Sequence, residues 1–219
     1  MAITIEELRV ADDAARWGSF GFEVEGDTCR LGAVAVRLLG EGAGEGILSW
    51  SLAGLERVEL DGLPTERGSE PATAPAGPHP NGVLGIDHVV VVAPDFERCV
   101  DALKLAGLDL RRIREEPTPA GAPRQAFFRL GREILEVVAE PTEVAERRGG
   151  PRRAAHFWGL ALSCEDVERT AAHFGEHVSS VRDAVQPGRR IASVRRSAGL
   201  AVPVALITRA GERAPAESV

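Results

Sequence analysis

Four consecutive valines, residues 89–92, form an unbroken apolar run that begins just after His88 and ends at Pro94-Asp95. A continuous β-branched run of this length, without polar alternation, predicts a strand buried on both faces. Asp95 is a good N-cap for a helix over 96–107, in which apolar residues recur with helical spacing and Gly107 supplies the stop. The pattern therefore predicts a buried strand followed directly by an amphipathic helix.

Three further strands are predicted after this helix, over 108–116, 123–131 and 132–140, giving the order β-α-β-β-β. The same order returns in the second half of the chain. A strand begins at His156, Asp166 caps a helix over 167–175, and strands are predicted over 177–185, 189–199 and 200–209.

The two series repeat each other in detail, since Asp95 opens "DFER" and Asp166 opens "DVER". A fainter copy lies at the N-terminus, where "RLGAVAVRLL" overlays "RLGREILEVV" without a gap, and a fourth, truncated copy is predicted to begin within 46–55. The predicted organisation is a degenerate, truncated module over 1–63, a Pro/Gly-rich linker without regular structure over 64–82, a first full module over 83–140 and a second over 156–210.

Composition narrows the function classes. The 219 residues carry a formal net charge of −7, which argues against a nucleic-acid partner because phosphate binding needs a basic face. Three cysteines without metal-binding spacing favour a reducing, cytoplasmic setting, and no apolar run approaches the ~20 residues of a membrane span.

A tandem βαβββ repeat with His88 near the start of one strand and Glu136 in the last strand of the same module resembles the vicinal oxygen chelate superfamily. This superfamily includes glyoxalase I, bleomycin-resistance proteins and extradiol dioxygenases. The resemblance implies an α+β fold of tandem βαβββ modules forming curved mixed sheets around a shared pocket, with a degenerate additional module at the N-terminus. It also implies a divalent metal held by side chains from the first and last strands of both modules.

Only half of that ligand set is present in this sequence. His88 and Glu136 match the ligand positions of the first module, and they are our candidate metal ligands and catalytic residues. The corresponding positions of the second module hold Gly159 and Ala205, or Val204 if the register shifts by one, and none of these can bind a metal. His156 is the one nearby substitute, although strand alternation points it to the opposite face from Gly159.

Three interpretations of the His88–Glu136 pair remain open. The pair binds a metal completed by water or ligand oxygens, or it contacts ligand and moves protons without a metal, or it is a buried structural pair. A divalent metal cofactor is therefore weakly supported.

The ligand-binding residues that we predict are two aromatic and two basic side chains on strands expected to line the pocket: Phe128, Trp158, Arg124 and Arg195. Arginine is a natural clamp for a carboxylate or phosphate, so an anionic ligand is favoured. The alternatives are packing in the core for the aromatic residues and a solvated sheet face for the arginines.

Three functions are compatible with these observations. The leading hypothesis is a glyoxalase-like small-molecule-binding protein with an incomplete metal site, with enzymatic activity left open. The second is a metal-dependent lyase, isomerase or dioxygenase that uses His88 and Glu136. The third is a sequestering protein of the bleomycin-resistance type, and both a monomer and a homodimer are compatible with the sequence.

Overall fold

Two mixed β-sheets carry the fold in the structure, a computed structural model that describes residues 2–69, 76–118 and 121–209. The N-terminal sheet has six strands and the C-terminal sheet has eight. The N-terminal elements are β1 Thr4–Val10, α1 Ala14–Ser19, β2 Val24–Glu25, β3 Thr28–Leu31, β4 Val34–Leu38, β5 Ile47–Ala53 and β6 Thr65–Arg67. The C-terminal elements are β7 Val83–Ala93, α2 Phe96–Leu105, β8 Asp109–Arg114, β9 Gln125–Leu130, β10 Glu133–Ala139, α3 Thr142–Arg147, β11 His156–Cys164, α4 Val167–Ala172, β12 Arg182–Asp183, β13 Arg190–Ser193 and β14 Val204–Thr208.

The same strand order occurs three times. In each βαβββ unit the first strand pairs in parallel with the fourth, and the third and second strands follow outward. The C-terminal sheet joins two such halves through the antiparallel pair β7 and β11. In the N-terminal sheet β5 pairs antiparallel to β1 in the same manner, and only β6 follows it. The predicted fold class, α+β with tandem βαβββ modules and an additional N-terminal module, is confirmed.

Local capping explains where the helices begin. The Asp95 carboxylate accepts a hydrogen bond from Arg98 N at 3.1 Å, and Asp166 accepts one from Arg169 N at 3.0 Å. Asp13 caps α1 through Ala15 N at 2.8 Å. Each cap satisfies a backbone donor that the first helical turn leaves free, so the chain turns from strand to helix at these residues.

A continuous hydrophobic core joins the two sheets. Trp50 of the N-terminal sheet packs edge-on against Phe157 of β11, with ring centroids 5.1 Å apart. Gly32 and Gly85 let the two sheets approach closely, because a Cβ on Gly85 would lie 3.3 Å from Gly32 Cα. The two sheets therefore pack as neighbours in one core.

Four local features differ from the sequence prediction. Part of the predicted linker forms β6, which extends the N-terminal sheet beside β5. The segment between the two predicted full modules, 141–155, contains α3. The strand predicted over 177–185 is reduced to β12, preceded by a 3-10 turn at Gly175–His177, and the strand predicted over 189–199 ends at Ser193 before a 3-10 turn at Arg196–Ala198. Residues 70–75 of the predicted linker and residue 210 of the second module lie outside the described residues.

None of the helices in the described ranges combines the length and apolar character needed to cross a bilayer.

Candidate functional site

His88 lies on the face of the C-terminal sheet that points away from the hydrophobic core, which we call the open face. The core side of β7 is formed by fully buried residues such as Val89 and Val91. Alternation along the strands places the following half-buried residues on the open face: His88, Val92, Phe127, Ile134, Glu136 and Val138. The candidate site residues therefore share a surface that the core does not cover.

A β-bulge places Asp87 beside His88. Ala161 of β11 pairs with His88 and Leu162 pairs with Ile86, so Asp87 is an extra residue in β7. Without the bulge, neighbouring residues would point to opposite faces, but here Asp87 Oδ2 lies 2.9 Å from His88 Nδ1. The bulge thus gives the imidazole a carboxylate partner from its own strand.

Arg189, immediately before β13, holds Asp87 from the other half of the sheet. Its Nη1 lies 3.3 Å from Asp87 Oδ2, its Nη2 hydrogen-bonds Oδ1, and its Nε donates to Thr208 O at 2.7 Å. Burial opposes ionisation of Asp87, but hydrogen bonds from His88 and Arg189 outweigh this effect and lower the pKa of Asp87. Asp87 is therefore an ionised acceptor for the imidazole.

Glu136 lies on the other side of the imidazole. Glu136 Oε2 is 3.2 Å from His88 Nε2, and Gln125 Nε2 donates to Glu136 Oε1. The side chains of His88 and Glu136 are 15% and 12% exposed, so they are largely dry yet reach the surface. Hydrogen bonds, together with the close contact between His88 and Glu136, thus connect Arg189, Asp87, His88, Glu136 and Gln125 across the open face.

The contacts of the imidazole distinguish its two ring nitrogens. Because ionised Asp87 accepts from Nδ1, that ring nitrogen carries a proton. The other ring nitrogen, His88 Nε2, faces Glu136 Oε2 at 3.2 Å. The Nε2 edge of the imidazole and the Glu136 carboxyl group are therefore the acid–base groups that a molecule bound on the open face would meet.

The second half of the sheet offers no equivalent groups. Gly159 pairs with Val90, but a Cβ at Gly159 would lie 2.5 Å from Pro203 O, so the backbone packing leaves no room for a side chain. Ala205 pairs with Ala161, which in turn pairs with His88. Ala205 is therefore two strands, or about 10 Å, from His88 and presents only a methyl group.

Residues 85–199 match the model of the Glyoxalase/Bleomycin resistance protein/Dioxygenase superfamily, and this range is just over half of the chain. The chain belongs to this superfamily. The matched range begins within β7 and ends after β13, so it omits β14 but includes Asp87, His88, Gln125, Glu136 and Arg189. No curated protein matches the sequence.

Three solved structures are similar to this chain at low sequence identity. Methylmalonyl-CoA epimerase from Mycobacterium tuberculosis is 18% identical over 63% of this chain and 93% of its own, with a TM-score of 0.49. A Streptomyces coelicolor methylmalonyl-CoA epimerase variant is 20% identical over 61% of this chain and 99% of its own, with a TM-score of 0.48. A xylose isomerase-like TIM barrel/4-hydroxyphenylpyruvate dioxygenase fusion protein is 14% identical over 99% of this chain and 51% of its own, with a TM-score of 0.57.

The residues of this superfamily member do not fit a metal centre with ligands from both modules. Within residues 2–69, 76–118 and 121–209, no group of three or more His, Cys, Asp or Glu side chains is placed to hold a metal ion. His156 does not complete the set, because it pairs with Val92, four residues or about 13 Å along β7 from His88. Two protein donors are fewer than a catalytic zinc normally receives.

Of the two aromatic residues predicted to contact a ligand, Phe128 is buried and Trp158 is exposed. Phe128 is fully buried and points into the core, because the β9–β10 register pairs Phe127, and not Phe128, with Glu136. Phe127 is therefore the open-face member of that pair. Trp158 is the extra residue of a bulge in β11, is 55% exposed and lies next to Gly159.

The predicted arginine contacts lie away from His88 and Glu136. Arg124 pairs with Glu115 at 2.6 Å and with Glu97, and Arg195 donates to Glu176 O at 3.0 Å. The site instead contains Arg189, which belongs to the same arginine-rich segment as Arg195. Only the long-range pairing of the two halves identifies it, since its partner Asp87 is 102 residues away.

The three cysteines do not support thiol chemistry at this site. All three cysteines are free and buried. Burial raises the pKa of Cys29 and Cys99 to about 12 and that of Cys164 to about 11, so each is a neutral thiol at physiological pH.

Proposed function

We propose that the protein binds a small molecule on the open face, with the His88–Glu136 pair acting as the polar anchor rather than as half of a metal centre. The observation that carries this proposal is the 3.2 Å contact between His88 Nε2 and Glu136 Oε2, with Asp87 hydrogen-bonded behind the ring. A metal held by these two atoms would have two protein ligands, and the matching positions of the second half, Gly159 and Ala205, offer no further donor.

The surroundings of the pair suit a mostly apolar ligand with few polar groups. Val90, Ile134, Val138 and Phe127 lie around Glu136 in the paired strands. The anionic ligand favoured by the sequence receives no support from Arg124 or Arg195, because both have partners elsewhere. A cytoplasmic setting remains our proposal, and the free cysteines support it.

A metal titration tests the first part of the proposal. Protein purified without chelators is titrated with Zn²⁺, Ni²⁺, Co²⁺ and Mn²⁺ by calorimetry, alongside elemental analysis. We expect less than stoichiometric metal, and the same weak uptake in His88→Ala. Stoichiometric uptake that is lost in His88→Ala would contradict the proposal and favour the metal-dependent enzyme.

Ligand binding is tested by protein-observed NMR with a defined set of probes: acetophenone, benzamide, benzoate, cyclohexanone and pyruvate. We expect at least one probe to shift backbone amides of Val90, Phe127 and Glu136 in a saturable manner. The shifts should weaken in Glu136→Gln, which keeps the size of the side chain but removes its charge. No saturable shift on the open face from any probe would overturn the proposal.

A proton-transfer enzyme is a second candidate function, favoured by the placement of a carboxyl group 3.2 Å from an imidazole on the open face. In such an enzyme the Glu136 carboxylate removes a hydrogen α to a carbonyl, and solvent returns a proton to the same carbon. Exchange of the methyl hydrogens of acetophenone in D₂O, faster with wild type than with Glu136→Gln, would support this function. Equal exchange rates in wild type and Glu136→Gln would contradict this function and favour a protein that only binds its ligand.

A further inference from the structure

Gln125 carries a buried polar atom without a partner. The residue is 8% exposed, and its Nε2 donates to Glu136 Oε1. Its Oε1 is buried and accepts no hydrogen bond in the part of the chain that the structure describes. Leaving a buried acceptor unpaired is energetically costly, and folded proteins rarely tolerate it. The atom therefore marks a place where a donor from outside the chain belongs.

The chemistry of Glu136 fixes the orientation of this amide. A carboxylate accepts hydrogen bonds and has none to donate, so the Gln125 NH₂ group must face it. Turning the amide over would set its carbonyl oxygen against Glu136 Oε1. The unpartnered atom at the site is therefore an acceptor.

The neighbouring side chains are apolar or already paired. Gln125 is opposite Val138 on β10 and opposite Arg114 on β8. Arg114 Nε lies 3.5 Å from Glu116, and the Arg112 guanidinium stacks 5.3 Å from the centre of the Phe127 ring. An anion would thus meet cations that already have partners and two acceptors, Gln125 Oε1 and the Glu136 carboxylate.

We propose that the site selects an uncharged small molecule in which an apolar body carries a hydrogen-bond donor, an amide N–H or a hydroxyl, that donates to Gln125 Oε1. Carboxylate and phosphate ligands are disfavoured at this position because they bring only acceptors. This inference rests on the proposed function and specifies the ligand class of the same site.

Three probes of one shape test it on the wild-type protein. Benzamide offers N–H donors, acetophenone is neutral and only accepts, and benzoate is an anion that only accepts. We expect benzamide to bind at least about tenfold more tightly than either of the others, since one satisfied buried acceptor is worth that factor. Its binding should shift the side-chain NH₂ signals of Gln125 together with the backbone amides of Phe127 and Glu136.

A pair of matched variants sharpens the test. Gln125→Met keeps the length of the side chain but removes its acceptor, and it should bring benzamide binding down to the level of acetophenone. Gln186→Met makes the same change in the exposed turn before β13 and should leave all three affinities unchanged. If Gln125→Met does not fold, the comparison of the three probes on the wild-type protein still tests the ligand class.

The outcomes separate this inference from the proposed function. Equal binding of the three probes on the open face would overturn the ligand class while leaving small-molecule binding intact, and it is the result expected if a water molecule satisfies Gln125. Benzamide binding that shifts backbone amides of the open face but not the side-chain NH₂ signals of Gln125 would also overturn the ligand class. Absence of binding by all three and by the wider probe set would overturn both.

Discussion

The two halves of the eight-stranded sheet share a backbone plan but differ in what they place on the open face. Both have the same strand order, and both begin their helix with an aspartate cap. The first half presents His88, Glu136 and Gln125. The second half presents Gly159, packed against the Pro203 backbone, and Ala205. The plan that builds the fold was retained in both halves, while polar chemistry is concentrated in one.

The second half nevertheless contributes to the site, through charge. Arg189 reaches across the sheet to Asp87, and Asp87 in turn hydrogen-bonds His88. A half that has no metal-binding side chain at its matching positions thus helps to fix the protonation and orientation of the imidazole. The difference between the halves is a division of roles, and each prediction below tests one part of it.

The largest expected effect comes from breaking the contact between the halves. In the native pair the side chains of Arg189 and Asp87 are 13% and 15% exposed. Arg189→Met would therefore leave Asp87 charged and largely buried. We expect the free energy of unfolding in urea to fall by about 3 kcal/mol. Adding Asp87→Asn to Arg189→Met should recover much of the loss, because the uncompensated charge is removed.

The neighbouring arginine provides the control for this experiment. Arg190 is 46% exposed and pairs with Glu168 at 3.2 Å, so Arg190→Met should cost less than about 1 kcal/mol. Equal losses for Arg189→Met and Arg190→Met would show that the contact between the halves has no special weight.

The same pair should appear in the pH dependence of stability. The pKa of Asp87 is lowered from its ordinary value of 3.8, so its contribution is fully present above that pH. It is lost as the pH falls below 3.8 towards the folded-state pKa, because protonation removes the acceptor for Arg189 and His88. Urea unfolding between pH 7 and pH 3 should show this extra loss in wild type but not in the Asp87→Asn/Arg189→Met variant; parallel curves would contradict it.

Gly159→Ala tests whether packing keeps the second half without a side chain at this position. The added Cβ would meet Pro203 O at 2.5 Å, and the same oxygen accepts a hydrogen bond from Leu160 N at 2.9 Å. Because the clash is with backbone, we expect a loss of about 2 kcal/mol in the free energy of unfolding.

Gly18→Ala in α1 is the matched control. No atom lies within 4 Å of a Cβ built at Gly18, so alanine there should stabilise the helix by about 0.5–1 kcal/mol. If Gly159→Ala were as well tolerated, the Pro203 segment would be free to move, and packing would not explain the missing side chain.

The parts of this fold that were predictable from sequence are those that depend on near neighbours in the chain. Asp95 and Asp166 each bond to a backbone N–H three residues ahead, so the residue types alone identify the caps. The buried strand over β7 follows in the same way from its valine run. The strand predicted over 177–185 failed because its residues are mostly exposed or half-buried, and little apolar burial holds them in an extended sheet.

The site depended on pairing between distant segments, which no local pattern encodes. His88 and Glu136 were singled out through repetition and resemblance, but the bulge at Asp87 arises only from the register between β7 and β11. The choice between Phe127 and Phe128 likewise depends on how β9 aligns with β10. Arg189 could have been found only by asking which arginine of 187–196 lies opposite a carboxylate of the other half.

The smallest expected effect is one in which the two halves should agree. Asp95→Ala and Asp166→Ala each remove one cap from one backbone donor, and each should lower the free energy of unfolding by about 1 kcal/mol. Asp101→Ala, in the exposed middle of α2 with Lys104 at 3.5 Å, should cost less than about 0.5 kcal/mol. If the two caps give equal losses while Arg189→Met and Gly159→Ala cost more than their controls, the two halves differ on the open face and not in their scaffold. A much larger loss for one cap would instead mean that the halves differ in their scaffold as well, because the same bond would then be stabilising more than one helical turn.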